Sequence, residues 1–162
     1  MVTSYLSLGS NIEPYYHLSK AISELNHYFG NLKLSPLYES VAVGFNGEHF
    51  LNLVASFETD LKPQVIYESL RKIEDNHGRI RNGIRFSQRT LDLDLILYGN
   101  LISNEIPILP REEILQYAFV LKPLSDLAPE VIHPINGKSY AELWNNFNYT
   151  QQLLWLSKKI LT

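Results

Sequence analysis

The segment LDLDLILYGN at residues 91–100 alternates leucine with aspartate and then runs through apolar residues into a Gly-Asn turn. A short apolar and aromatic run that ends at a turn predicts a β-strand from Leu91 to Tyr98. Because side chains alternate along a strand, Asp92 and Asp94 would leave the same face, roughly 6 to 7 Å apart along the backbone. The leucines beside them would take the opposite face and hold the strand to a core.

Other parts of the chain carry the patterns of both strands and amphipathic helices. Apolar residues between Leu18 and Phe29 repeat at spacings of four, three and four, which is one face of a helix that Gly30 would end. Asn11, in a turn after the first strand, is expected to cap this helix. The sequence predicts further strands at 3–8, 32–41 and 49–58, and helices from Pro63 to Gly78, after Pro110 and over 140–147. This order indicates an α+β fold with a largely antiparallel sheet covered by helices.

Length and composition limit the class of protein. With 162 residues, 45% of them hydrophobic, the chain suits one core, so residues 1–162 are expected to form a single domain. No continuous apolar run approaches the roughly 20 residues of a membrane-spanning helix. The lack of cysteine excludes thiolate metal sites and fits the reducing cytoplasm, where we expect the protein to act. A net charge of −3 argues against nucleic acid as a partner, and we expect a monomer that acts on small molecules.

The two aspartates of the acidic strand are candidate metal ligands. Two carboxylates that face one way repel each other unless one is protonated or a cation bridges them. Magnesium favours one or two carboxylates and completes its shell with water and substrate phosphates, so Asp92 and Asp94 suit a magnesium site. The alternative is a solvent-facing strand edge on which aspartate discourages aggregation.

Basic residues are concentrated just before the acidic strand. Six of the 14 lysines and arginines lie between positions 71 and 89. Guanidinium groups match phosphate oxygens, so metal and arginine together would neutralise a polyphosphate. The alternative is a solvated loop, or salt bridges to Glu74 and Asp75. The arginines of this loop are Arg79, Arg81, Arg85 and Arg89. Read with the aspartates, they predict an enzyme that moves a phosphate-containing group from a magnesium nucleotide.

An aromatic residue and an amide are also predicted to share a strand face. Phe50 and Asn52 are two positions apart and would offer a ring plane together with both a donor and an acceptor. A flat heterocycle could use both. The alternative places Phe50 in the core and Asn52 at the surface.

Several short motifs occur in the order of a known family. The chain resembles the 6-hydroxymethyl-7,8-dihydropterin pyrophosphokinases of folate biosynthesis over roughly positions 2 to 135, and the tail at 136–162 is expected to pack on that domain. The most specific motif is RTLDLDL followed by Gly-Asn. The motifs are GSN at 9–11, FLN at 50–52, GRIR at 78–81, RTLDLDL at 89–95, and Phe119 with PL at 123–124 and APE at 128–130.

The resemblance implies a ferredoxin-like, three-layer α/β/α architecture. It also implies transfer of the β,γ-pyrophosphoryl group of ATP to the hydroxymethyl oxygen of the pterin, which leaves AMP. Asp92 and Asp94 would bind two magnesium ions.

The resemblance also assigns roles to individual residues. Phe50 and Phe119 would sandwich the pterin, and Asn52 would pair with its edge. Backbone groups around Ser40 and Val43 would complete that pocket. Arg79, Arg89 and Arg81 would face the triphosphate, with Glu74 and Leu95 near the nucleotide.

Some positions depart from the family pattern. Arg111 follows Pro110 where the family usually has a nucleotide-contacting histidine. Tyr117 stands where an arginine is usual, two positions before Phe119, and Arg111 would restore the lost positive charge from a neighbouring position. His77, beside the arginine loop, is expected at the surface. The other departures are Phe86 for a tryptophan, Gln88 for a proline, and Val41-Ala42 for a proline-rich pair.

Other functions remain open at this stage. One is a divergent family member that uses another alcohol as acceptor. Another, suggested by Arg111 and Tyr117, is a non-catalytic protein that binds pterin or nucleotide. A metal-dependent nuclease would also use paired aspartates and arginines, but the negative net charge and the narrow basic cluster argue against it.

Overall fold

The computed structural model describes residues 1–41, 47–78, 90–158 and 161. Within these ranges six strands and five helices follow one another along the chain. They are β1 (Val2–Ser10), α1 (Pro14–Phe29), β2 (Lys33–Leu34), β3 (Tyr38–Ser40), β4 (Phe50–Thr59), α2 (Pro63–Asn76), β5 (Asp92–Tyr98), α3 (Glu113–Gln116), α4 (Ala118–Leu127), α5 (Tyr140–Asn145) and β6 (Leu154–Leu156).

The strands form one antiparallel sheet. Their order is β5-β1-β4-β3-β6, and β2 also pairs with β4. In this register Gly9 lies opposite Asp92 on one side and opposite Asn52 on the other, and Asn52 in turn lies opposite Tyr38. The pairing therefore sets the acidic strand and the amide of β4 on either side of a glycine.

One face of the sheet packs against α1 and α2. Alternate leucines of β1, β4 and β5 are buried there, among them Leu8, Leu53 and Leu93. They contact the apolar face of α1, represented by Leu18, and that of α2, represented by Leu70. The expectation that the leucines beside Asp92 and Asp94 hold their strand to a core is therefore confirmed.

The opposite face of the sheet packs against α3, α4 and α5. Its core contains Tyr5, Val54 and Ile96 from the sheet and Leu121 from α4. The β1–β5 register shifts between Tyr5 and Leu6, and both Ile96 and Leu97 join this second core. Helices on both sides of an antiparallel sheet make the three-layer, ferredoxin-like architecture, so the expected fold class is confirmed. No helix in the described ranges is both long and apolar enough to cross a bilayer.

The strand expected over 32–41 is two short strands with a break between them. The break falls at Pro36, because proline has no N–H to donate to a neighbouring strand. Ser35 bridges it: its N–H donates to the Val54 carbonyl at 2.8 Å, and its Oγ accepts from the Val54 N–H at 2.9 Å. One serine therefore satisfies both backbone groups of a central-strand residue.

The expected role of Asn11 as a helix cap is wrong. Strand β1 continues to Ser10, and α1 begins only after Glu13, which has a positive φ of 41°. Asn11 is buried, and its Nδ2 donates to the backbone carbonyl of Glu48 at 3.2 Å. The amide thus ties the start of α1 to the segment that leads into β4.

The expectation of a surface position for His77 is also wrong. Only 7% of the residue is exposed, because α1 packs beside the end of α2. Its Nε2 lies 2.9 Å from Glu24 Oε1, and its Nδ1 lies 2.7 Å from His17 Nδ1. Periodicity within α2 gives no information about a neighbour so distant in sequence.

The C-terminal tail extends the sheet. Leu154 to Leu156 pair with β3 as the edge strand β6, and Leu153 and Leu156 remain exposed. Trp155 is anchored by its indole Nε1, which donates to Glu39 Oε2 at 2.9 Å. The apolar residues of the tail contribute a strand as well as packing.

Replacing Ser35 with alanine should destabilise the fold. Ser35→Ala would leave the N–H of Val54, which is fully buried, without the Oγ acceptor, at a cost of about 1–3 kcal/mol in unfolding free energy. Urea denaturation measures this loss. Ser23→Ala, at an exposed position of α1, is the control and should change stability little. Equal effects of the two substitutions would contradict the prediction.

Candidate active site

The two aspartates of β5 lie on the sheet face that α4 covers in part. Asp92 is opposite Gly9 and Asp94 is opposite Ser7, so small residues flank both carboxylates. Both aspartates are half-buried, and the leucines that alternate with them are buried on the other face. The two carboxylates therefore lie on the same face of the sheet, as predicted.

The environment of Asp94 disfavours its charged form. Burial raises the pKa of Asp94 to about 8, and the negative charges of Asp92, Glu74 and Glu113 act in the same direction. Arg111 opposes them and lowers the pKa in part. Among the described residues, the negative charges around Asp94 outweigh the positive charge of Arg111, which is the condition that a bound cation would relieve.

Arg111 lies within the electrostatic influence of the acidic pair. Its backbone N–H donates to the carbonyl of Ile96 at 3.0 Å, and its Nε donates to Glu113 Oε2 at 2.7 Å. Burial opposes the charge of the guanidinium, but Asp94, Glu113 and Asp92 outweigh burial and raise the pKa of Arg111 above its ordinary value. Arg111 is therefore a fixed cation beside the candidate metal ligands.

The amide of Asn52 is held in a defined orientation. Only 4% of Asn52 is exposed, and its Nδ2 donates to Ser40 Oγ at 2.9 Å. Its Oδ1 lies over Gly9, where a Cβ would come within 2.7 Å of that oxygen. Gly9 therefore provides the space that the amide occupies. An isolated glycine inside a strand is a sequence signal for such a close approach.

The aromatic residues expected to bind a heterocycle come from two elements. Phe50, half-buried at the start of β4, shares the sheet face of Asn52 by strand alternation. Phe119 lies in the first turn of α4 and packs against the core of the same face. Its ring stacks on that of Tyr117, with centroids 5.1 Å apart and planes inclined by 23°. Tyr117, which stands where the family usually has an arginine, thus adds an aromatic contact to Phe119.

Helix α4, which carries Phe119, is bonded to strand β3 of the sheet. The hydroxyl of Tyr38, a buried residue of β3, donates to Asp126 Oδ2. Lys122 Nζ bonds the other oxygen of that carboxylate at 3.0 Å. The sequence analysis did not identify these residues, because the contact joins positions 88 apart in the chain.

Glu74 and Leu95 are related to the site in different ways. Glu74 is 3% exposed, and its Oε2 accepts from the backbone N–H of Leu93 at 2.9 Å on the outer edge of β5. It lies close enough to raise the pKa of Asp94. The Leu95 side chain is buried on the opposite face of the sheet, so only its backbone could approach a ligand on the aspartate side. Val43, Arg79, Arg81 and Arg89 fall outside the described residues.

Comparison with known proteins identifies the family. The profile of 7,8-dihydro-6-hydroxymethylpterin-pyrophosphokinase (HPPK) matches residues 5–129. A protein of Haemophilus influenzae named 2-amino-4-hydroxy-6-hydroxymethyldihydropteridine pyrophosphokinase is 36% identical over 153 residues, covering 91% of this chain and 94% of its own. A protein of the same name from Porphyromonas gingivalis is 39% identical over 142 residues, covering 83% and 95%.

Solved structures support the same fold. The HPPK-DHPS crystal structure from Plasmodium falciparum superposes with a TM-score of 0.72 at 13% identity and covers 89% of this chain and 44% of that chain. At that identity the likeness shows the fold alone. Fold, acidic site and sequence matches together define a pyrophosphokinase, an enzyme that transfers a diphosphate group. The chain belongs to the 7,8-dihydro-6-hydroxymethylpterin-pyrophosphokinase family.

Replacing the carboxyl group of Asp94 by an amide should stabilise the metal-free protein, and this gain in stability should increase as the pH rises. Asp94 has a pKa of about 8 in the folded protein, so it keeps a proton that the unfolded chain releases above pH ~4. The stability of the wild type therefore decreases as the pH rises from the unfolded pKa to the folded pKa. An asparagine has no such proton to release. We expect Asp94→Asn to unfold at a temperature at least ~2 °C higher at pH 8 in EDTA, with a smaller gain at pH 5.

Thermal unfolding of both proteins across this pH range tests the prediction. Glu130→Gln, which removes an exposed carboxylate elsewhere, is the matched control and should show no gain that grows with pH. A constant difference between Asp94→Asn and the wild type from pH 5 to pH 8 would contradict the assigned environment of Asp94.

Proposed function

We propose that this protein transfers the β,γ-pyrophosphoryl group of ATP to the hydroxymethyl oxygen of 6-hydroxymethyl-7,8-dihydropterin in folate biosynthesis. The acceptor oxygen would form a bond to the β-phosphorus, the bond from that phosphorus to the α-phosphate would break, and AMP would leave while the hydroxyl loses its proton. The single observation that carries this proposal is the row Asp92, Gly9, Asn52 across three neighbouring strands, in a chain of this family.

The row provides two binding regions at a suitable separation. Neighbouring strands lie about 4.8 Å apart, so Asp92 and Asn52, two strands apart, are separated by about 10 Å at the backbone. Gly9 between them contributes no side chain. A pterin edge on Asn52 and a metal-bound phosphate on Asp92 would therefore bring the hydroxymethyl group and the transferred group together over β1.

We assign two magnesium ions to Asp92 and Asp94. The donor set suits this cation, because carboxylate oxygens are hard ligands and magnesium takes the rest of its shell from water and phosphates. The raised pKa of Asp94 is the observation that favours a cation there. When bound, magnesium would neutralise the charge that develops on the phosphates during transfer.

We assign the pterin to the surface around Asn52. The hydrogen bond to Ser40 orients the Asn52 amide. The amide has both a donor and an acceptor group, which the edge of a pterin can match. Phe50 and Phe119 would stack on the two faces of the ring. The backbone around Val43 would complete the pocket.

We assign the triphosphate to the arginine side of the acidic strand. Arg79, Arg81 and Arg89 would bind phosphate oxygens, and Arg111 would add a positive charge beside the metal ligands. Phosphoryl transfer depends chiefly on positioning and charge neutralisation, which such groups provide. Glu74 supports this region by holding the edge of β5, and the backbone at Leu95 would border the nucleotide.

We further propose that residues 1–162 act as a single, monomeric domain in the cytoplasm, without a nucleic-acid or membrane partner.

The test is to incubate the protein with ATP, magnesium and the pterin alcohol, and to follow AMP and pterin diphosphate together by chromatography. We expect both products in equal amounts from the wild type. Asp92→Ala should lower turnover by at least 100-fold, because it removes an electrostatic contribution to the transition state.

The remaining outcomes separate the alternatives. AMP that forms with another alcohol and not with the pterin would indicate a changed acceptor. Binding of both ligands without AMP would indicate a non-catalytic protein. Either result would overturn the proposed reaction.

Arg111→Ala should raise the KM for ATP by about tenfold or more, since a hydrogen bond to a charged group contributes about 1.5–3 kcal/mol. The KM for the pterin should change less than twofold. Arg71→Ala is the matched control, because Arg71 is exposed on α2 and bonds only Tyr67 among the contacts described. An unchanged KM for ATP would remove Arg111 from the nucleotide site.

A further inference from the structure

The tail residue Gln152 bonds the junction between two helices. Its side-chain Oε1 accepts from the backbone N–H of Ala118 at 2.8 Å, and its Nε2 donates to the backbone carbonyl of Gln116 at 3.0 Å. These atoms lie on either side of Tyr117. A single amide side chain therefore bonds both neighbours of Tyr117, from a position at least 34 residues further along the chain.

The junction needs such a partner. Gln116 ends α3, Ala118 begins α4, and Tyr117 between them is extended, with φ −123° and ψ 126°. The last carbonyls and the first N–H groups of a helix have no partner within the helix. Gln152 supplies an acceptor to the start of α4 and a donor to the end of α3, so it sets the direction in which α4 leaves the junction.

This direction determines where Phe119 lies. Phe119 follows Ala118 directly and is in the first turn of α4. Its ring is stacked on Tyr117, the residue that the two Gln152 bonds enclose. A change in the junction therefore moves the ring that is assigned to one face of the pterin.

The tail bonds the other side of the same pocket as well. Leu154, two residues after Gln152, pairs with Ser40 in the sheet, and the Val41 N–H donates to the Leu153 carbonyl at 3.4 Å. Ser40 Oγ is the acceptor for Asn52 Nδ2. Residues 152–154 thus connect the Phe119 side of the pocket to the Asn52 side through three consecutive positions.

We propose that Gln152 is a positioning residue for the pterin, acting through the α3–α4 junction on Phe119. The inference rests on the proposed function, because it takes Phe119 as a pterin contact. Gln152 lies beyond residue 129, where the family match ends, so the match assigns it no role. A purely structural role would lower stability and affect both substrates alike, whereas a positioning role affects the pterin alone.

The experiment compares Gln152→Ala and Gln152→Glu with Gln151→Ala, an exposed neighbour that serves as the matched control. Calorimetry gives the Kd for 6-hydroxymethyl-7,8-dihydropterin and, separately, for magnesium-bound α,β-methylene-ATP. Hydrogen exchange followed by NMR reports the Ala118 amide. The wild type is measured first, because failure to bind the pterin would overturn the proposed function and, with it, the pterin role of Gln152.

We expect Gln152→Ala to raise the pterin Kd about fivefold to tenfold, the effect of losing one or two hydrogen bonds. The nucleotide Kd should stay within twofold, and the Ala118 amide should exchange faster. Gln152→Glu keeps the acceptor for Ala118 and loses the donor to Gln116, so slow exchange should persist while the pterin Kd rises at least twofold. Gln151→Ala should match the wild type.

Other results would overturn the inference while leaving the proposed function intact. One is faster Ala118 exchange with an unchanged pterin Kd. Another is an equal loss of affinity for pterin and nucleotide. If Gln152→Ala does not fold, Gln152→Glu decides the matter, and a pterin Kd equal to that of the wild type would then overturn the inference.

Discussion

Burial of the leucines in β5 is the constraint on which the site depends. Leu91, Leu93 and Leu95 are each at most 3% exposed, and burying such a side chain contributes about 1.5–3 kcal/mol. Strand alternation then places Asp92 and Asp94 together on the other face. Because the buried leucines keep the strand in this orientation, the two carboxylates stay close to each other, and Asp94 holds its proton more tightly. The core thus maintains an electrostatic arrangement that would be unfavourable alone.

The order of the strands brings the acidic pair of β5 close to the other residues of the candidate site. Strand β1 lies between β5 and β4, and Gly9 is the residue that faces both Asp92 and Asn52. A larger side chain at position 9 would meet the Asn52 amide, which is itself held by Ser40. Helix α4 then covers the next part of the face, fastened to β3 through the Tyr38–Asp126 bond. The helix that carries Phe119 is held near both of its ends, by Asp126 and by Gln152.

The sequence was informative wherever structure depends on near neighbours. Alternation at 91–98 predicted β5 and the common direction of its aspartates, and apolar spacing predicted α1 and α2 within a few residues. It was not informative where distant segments meet. Nothing local in α2 indicates that His77 lies against Glu24, and nothing local in the tail indicates that β6 pairs with β3. Asn11 has the composition of a helix cap, yet its side chain bonds Glu48, because that backbone group reaches it only in the folded chain.

The departures at positions 111 and 117 have opposite electrostatic effects on the two binding regions. Arg111 lies in the field of both aspartates and is also bonded to Glu113, so part of its charge is already balanced. A metal ion that arrives alone would compete with Arg111 for the same carboxylates. A nucleotide that arrives with the metal would bring phosphates that could bind the guanidinium instead, so on the proposed function Arg111 would favour joint entry of metal and nucleotide. Tyr117 adds no positive charge near Phe119, and its ring supports the stacking surface instead. Arg111 thus places a positive charge on the acidic side of β1, and Tyr117 adds an aromatic ring near Phe119, as the proposed binding of a phosphate and a flat heterocycle would require.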